Sequence, residues 1–188
     1  YYPLHIFEGF PANHPAIKRS GIYQALTGAA LLMPRQLFFD VGMFDEDFIN
    51  GGEDVEFGLR LNSRGLPGKH VPDSVIYHLC SQTQGRHDHE DHNTRVLKEK
   101  ALFLIAPDAH VRAAMHGYGV RLTPLLKLEM FIPARRLEIM KKRLPNLHDA
   151  DALEDFLLQE PLWHEGYQIL AELREKKGQL DRAANTLG

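Results

Sequence analysis

The chain has 188 residues, enough for one full domain or one domain with part of another, and too few for two complete enzymatic domains. With 44% hydrophobic and 25% charged residues it can bury a core, which excludes global disorder, and a net charge of −3 excludes a molecule-wide basic footprint for nucleic acid. A single cysteine, Cys80, excludes an intrachain disulfide and cysteine-rich zinc modules and points to a reducing compartment.

No run of about 18 apolar residues is present to span a membrane, and Tyr1-Tyr2-Pro3 lacks the basic-then-apolar layout of a signal peptide. The expected location is the cytoplasm, free or at the inner face of the membrane. Because the chain does not begin with Met, a processed product or an excised piece of something longer is expected.

Residues 1–24 carry Pro3, Gly9, Pro11, Pro15 and Gly21 without a sustained period and read as an irregular lead-in with short strand pieces. The apolar run from Ala25 to Met33, through Thr27-Gly28, reads as a strand buried on both faces. Pro34 suits a first helical position, Leu37, Phe38 and Val41 follow, and Gly42 closes the turn. A second helix is expected between Gly51-Gly52 and Gly65, with Val55, Leu59 and Asn62 on one face, Gly58 allowing close packing and Glu53-Asp54 in the first turn. Lys69 to Val71 and Ser74 to Leu79 read as strands split by a Pro72-Asp73 turn, the second placing His78 near its C-terminal end. Residues 80–92 are polar and histidine-rich, and Asn93 to Ile105 have helical spacing.

Pro107 is the expected boundary, giving an α/β part at 1–106 and an all-α part at 107–188. In the latter Thr123-Pro124 reads as a helix start, Pro133 as a break, Asp149 as the cap of a helix over 150–159, and Gly178 as the separator of the last two helices. Strands are expected only before residue 107.

Several groups could carry chemistry. Glu53-Asp54 is either a charged helix start or a base, since a helix N-terminus favours the negative charge a base must bear. His78 is either a sheet-edge residue or a ligand to a divalent metal. His87, His89 and His92, interleaved with Asp88, Glu90 and Asp91, do not converge at that spacing and read as a solvated linker. Arg135, Arg136, Lys141, Lys142 and Arg143 form a basic helix face, either solvated or turned to anionic lipid or phosphate. Cys80 reads as structural.

In order, Thr27-Gly28, Pro34-Arg35, Val41 to Glu46, Gly52-Glu53-Asp54-Val55-Glu56, Leu59-Arg60, Gly65, Val71-Pro72 and Val75-Ile76-Tyr77-His78 resemble the family 2 inverting glycosyltransferases of the GT-A fold, over about residues 20–100. The resemblance implies a partial α/β GT-A domain, here its acceptor-side half, followed by a helical region. It makes Asp54, beside Glu53, the base that deprotonates an acceptor hydroxyl, and puts Thr27 and Gly28 under the acceptor. It makes His78 a protein ligand of Mn²⁺ or Mg²⁺ on the donor diphosphate, and places Ser81, Thr83 and Arg86 where a mobile loop covers the donor. Partners would be a nucleotide-sugar and a glycan, lipid-linked or protein acceptor. Asp54 and His78 should then face one cleft.

Such enzymes also carry a nucleotide-binding half with an Asp-x-Asp motif. No such motif precedes Thr27, and Asp45-Glu46-Asp47 has the spacing but lies downstream, so little or no turnover is expected of these residues alone. Tyr167, Leu170, Ala171, Gly178, Leu180 and Ala183 resemble one tetratricopeptide hairpin over 162–188. The competing expectation is a non-catalytic module that recruits a protein partner through this tail.

Overall fold

The computed structural model describes residues 3–79, 85 and 88–187. It forms two compact units, one of Tyr1–Leu4 with Arg19–Pro107, the other of His5–Lys18 with Asp108–Gly188.

In chain order the elements are α1 (Pro15–Lys18), β1 (Gly21–Tyr23), a 3₁₀ turn at Gly28–Ala30, α2 (Arg35–Asp40), α3 (Glu53–Ser63), β2 (Gly68–His70), α4 (Glu90–Lys100), a 3₁₀ turn at Leu102–Leu104, α5 (Ala109–Ala114), β3 (Gly119–Leu122), β4 (Leu128–Phe131), α6 (Ala134–Lys141), α7 (Ala150–Gln159), α8 (His164–Lys176) and α9 (Leu180–Leu187). The result is a mixed α/β chain with two small antiparallel sheets among the described residues.

The first unit is organised around α3. Phe57, fully buried, meets Phe38 and Phe44 at ring distances of 5.5 and 5.3 Å. Leu59 packs with Val96, Leu97 and Ala101 from α4 and its end, so α3 is covered on more than the single Val55–Leu59–Asn62 stripe. Gly58 allows this depth, because a Cβ there would lie 2.7 Å from the Ala25 Cα. Both α2 and α3 end in a Schellman turn: Met43 N–H reaches the Phe38 carbonyl (2.8 Å) and Leu66 N–H the Leu61 carbonyl (3.0 Å).

Two expected strands are absent. Within Ala25–Met33, Thr27 caps the 3₁₀ turn, and the Gly28 N–H is turned into a side-chain bond rather than a ladder. Leu31 keeps extended angles (φ −127°, ψ 128°), yet Leu32 is 98% exposed. Ser74–Leu79 also forms no ladder, with Tyr77 99% exposed. Both runs are apolar enough for a buried strand, but the sheet of this unit has only β1 and β2 among the described residues, paired as Gly21↔His70, Ile22↔Lys69 and Tyr23↔Gly68. The helix expected from Asn93 begins three residues earlier, at Glu90.

The second unit is not all-α. Residues 119–131 form a hairpin, with Val120 opposite Met130 and Leu122 opposite Leu128. Thr123-Pro124 begins its turn rather than a helix: Thr123 N–H donates to the Lys127 carbonyl (2.8 Å), and the Thr123 hydroxyl accepts from Lys127 N–H (3.1 Å). One core cluster joins Met140, Ala150, Leu153, Leu157, Trp163 and Leu170 of α6 to α8. A second joins Phe7 and Ala16 to Ala113 and Tyr118, so the lead-in of the chain is an integral part of this unit. Asp149 caps α7 as expected, its carboxylate accepting from Asp151 and Ala152 N–H at 3.1 Å each. Gly178, at φ 72°, separates α8 from α9, and Arg174 of α8 bonds Thr186 of α9 at 2.6 Å.

Candidate active site

The Thr27-Gly28 and Glu53-Asp54 motifs meet. Gly28 N–H donates to Asp54 Oδ2 at 2.7 Å, and Val55 N–H donates to Oδ1 at 2.8 Å. Each carboxylate oxygen thus accepts one backbone bond and keeps lone-pair capacity for another donor, such as a hydroxyl. Gly28 eases this approach, since a Cβ there would lie 3.2 Å from the Asp54 Cβ, a tight contact that would push the two apart by a few tenths of an ångström. Asp54 is half-buried, while Thr27 and Gly28 are exposed, so the junction is open to solvent on the Thr27-Gly28 side.

The approach to α3 is unusual backbone. Asn50, Gly51 and Gly52 have φ of 54°, 152° and 93° in succession, which turns the chain abruptly into the helix. The preceding loop is clamped from α4. Asn93 Oδ1 accepts from Ile49 N–H (2.9 Å) and its Nδ2 donates to the Ile49 carbonyl (2.8 Å). His92 Nε2 bonds the Asp47 carbonyl at 2.8 Å, so this histidine belongs to a helix and not to a solvated linker. Lys100 Nζ donates to Asp45 Oδ2 (2.6 Å) and Asp47 Oδ2 (2.5 Å). The Lys100 bond holds the Asp45 carboxyl below its ordinary value. Asp45 and Asp47 therefore serve a lysine, whatever their Asp-x-Asp spacing.

On the other side of α3, Arg60 pairs with Glu56 (2.6 Å) and donates to the Val41 and Met43 carbonyls at 2.6 and 2.8 Å. It ties the α2 C-terminus to the helix that carries Asp54. Sequence reading missed Arg60, Asn93 and Lys100 as supports. Glu56 and Arg60, four apart, were a readable signal for one pair; the loop contacts span 44 to 55 residues and left none.

Glu53, first in α3, has its Oε2 buried with no hydrogen-bond partner among the described residues. His78 is exposed on the irregular segment 74–79. Ser81, Thr83, Arg86, Cys80 and His87 lie outside the described residues. Among the described residues no three His, Cys, Asp or Glu side chains converge to hold a metal ion, so these residues do not by themselves fit a complete Mn²⁺ or Mg²⁺ site. No described helix is long and apolar enough to cross a membrane.

Over 79 residues, 42% of this chain, the sequence is 35% identical to an N-acetylglucosaminyl-diphospho-decaprenol L-rhamnosyltransferase of Mycobacterium tuberculosis, in both the CDC 1551 / Oshkosh and ATCC 25618 / H37Rv strains. That stretch is 25% of the relative. Over 56 residues, 30% of this chain, it is 48% identical to the O-antigen biosynthesis protein RfbC of Myxococcus xanthus, covering 4% of that protein. The chain thus spans a quarter or less of the relatives it matches. No family model and no solved structure matches.

Proposed function

We propose that the chain is the acceptor-side part of a family 2, GT-A-type glycosyltransferase, moving a sugar from a nucleotide-sugar to a hydroxyl on a glycan, lipid-linked or protein acceptor with inversion at the anomeric carbon. The observation that carries this is the Gly28–Asp54 contact, which sets a carboxylate at an exposed loop floor and leaves it a free lone pair. Similarity to a rhamnosyltransferase and to an O-antigen biosynthesis protein supports the same class.

In this reading the acceptor hydroxyl donates to Asp54. Its oxygen attacks the anomeric carbon from the face opposite the nucleoside diphosphate, the bond to the diphosphate breaks, and Asp54 takes the proton. Backbone N–H groups on both carboxylate oxygens fix the plane in which that proton is received, so the carboxylate need not reorient during the reaction. Mn²⁺ or Mg²⁺ enters the proposal with His78 as one protein ligand, and would supply the charge that neutralises the leaving diphosphate. No step here is routed through it. Ser81, Thr83 and Arg86 remain proposed donor-side contacts.

The test belongs in the complete enzyme. Asp54→Asn keeps size and polarity but removes the base, so kcat should fall by about 10²–10⁴-fold with donor affinity retained. His78→Ala should instead weaken metal-dependent donor binding. A near-normal kcat for Asp54→Asn, with chemistry shown to limit the rate, leaves Asp54 as a loop anchor and ends the general-base reading.

A further inference from the structure

The β3–β4 hairpin carries an apolar face that outruns the core beneath it. Directly opposed residues share a face, and the register puts Val120 with Met130 and Leu122 with Leu128 on one side. Val120 and Met130 pack on the Phe7–Tyr118 cluster. One step further out, Leu122 and Leu128 are 62% and 40% exposed, and at the tip Leu125 and Leu126 are each 80% exposed. The opposite face is closed to itself, with Arg121 paired to Glu129 (3.0 Å) and lying over the Phe131 ring.

Leu126 adds a second observation. It sits at φ 58°, in the left-handed region that glycine and asparagine enter most easily, and presents its side chain to solvent. Neither turn geometry nor packing favours leucine at that position, so the fold itself does not account for it.

Charge indicates what does. Within residues 119–143 Arg121 is paired with Glu129 and Arg136 with Glu160 of α7's end, which leaves five cations (Lys127, Arg135, Lys141, Lys142, Arg143) against one acid (Glu138), in a chain whose net charge is −3. Lys127 stands between the two outermost leucine pairs. An apolar wedge inside a basic segment is complementary to an anionic lipid surface. A second copy is a poorer fit, because the exposed leucine area is on the order of 500 Å², below the about 800 Å² per partner of a stable protein interface.

We propose that the β3–β4 tip is a membrane-docking element, seating Leu122, Leu125, Leu126 and Leu128 at the headgroup–acyl boundary of an anionic bilayer. From Leu122 to the turn the hairpin overhangs by about three residues, or roughly 10 Å, which matches the 5–10 Å depth of interfacial elements. The proposal is independent of the glycosyltransferase reading.

The test is sedimentation of the 188-residue chain with vesicles of phosphatidylglycerol and phosphatidylcholine, or of phosphatidylcholine alone. Wild type should sediment with the anionic vesicles and release as salt is raised. The double variant L125S/L126S should lose at least about tenfold in binding with its circular dichroism unchanged. If that variant fails to fold, Lys127→Glu, at an exposed position, should still lower binding about tenfold. Absence of wild-type binding, equal binding to neutral vesicles, or full binding by the folded double variant or by Lys127→Glu overturns the proposal. So does a wild-type dimer that L125S/L126S converts to monomer, which would assign the leucines to a second copy.

Discussion

Both oxygens of Asp54 accept backbone N–H groups, one from its own helix and one from a loop 26 residues earlier. The second of these turns a helix-start carboxylate into the meeting point of two motifs. His14 plays a comparable joining part in the other unit. It is 5% exposed, with Nδ1 accepting from Ala16 N–H and Nε2 therefore carrying the proton toward the Gln159 carbonyl (3.1 Å). Tyr118, beside it, has its hydroxyl pushed up to about 12, chiefly by burial, and stays protonated at any ordinary pH. Burial is also the main cause holding the His14 pKa below 6.5. The folded state therefore resists the proton that the unfolded chain accepts, so stability is complete above about pH 6.5 and falls as pH drops toward the lower folded value. Thermal unfolding followed from pH 8 to pH 5 should show this decline, with a slope from this one group of at most about 1.4 kcal/mol per pH unit. His14→Gln should be less stable at pH 8 and flatter below pH 6.5.

Helix α3 is held by a glycine contact at one point and a two-ended clamp at others. Gly58→Ala should force the Ala25 backbone away and cost about 1–3 kcal/mol in denaturant unfolding, against a usual gain for glycine to alanine on an exposed helix. This helix is legible in the sequence, because Gly51-Gly52, the acids of the first turn and Gly65 are local signals that act within a few residues. The same holds for Asp149 and Gly178. The hairpin was not read, although Val120-Arg121-Leu122 and Leu128-Glu129-Met130 alternate with a period of two, because its turn offers Thr-Pro-Leu-Leu where asparagine or glycine would announce it. The runs at 25–33 and 74–79 failed in the opposite way. Their composition asks for neighbours on both sides, and strand formation is decided by the neighbour, not by the run. At the site, Thr27, Gly28, Glu53 and Asp54 were singled out from sequence, while Arg60, Asn93 and Lys100 act through partners that no local pattern indicates.

Across the whole molecule, each unit has its own core. Leu153, fully buried, is central to one of them, and Leu153→Ala should cost about 2–5 kcal/mol. Because His14 seats on the last residue of α7, hydrogen exchange in Leu153→Ala should quicken in residues 5–18 together with 150–159, although the two are far apart in sequence. Unchanged protection at 5–18 would show that the segment is held by Phe7 and Ala16 packing alone. The same seat governs the order in which the molecule is assembled. His14 and Gln159 are 145 residues apart, and a ribosome adding about 5–20 residues per second needs on the order of ten seconds between them. For most of that interval Ile6, Phe7, Phe10 and Ile17 have no Tyr118 or Val120 to cover them, and for all of it no Leu162. Residues 6–17 are thus made well before the side chains that bury them, and the nascent chain carries an apolar handle for a holdase chaperone until residues 118–162 emerge.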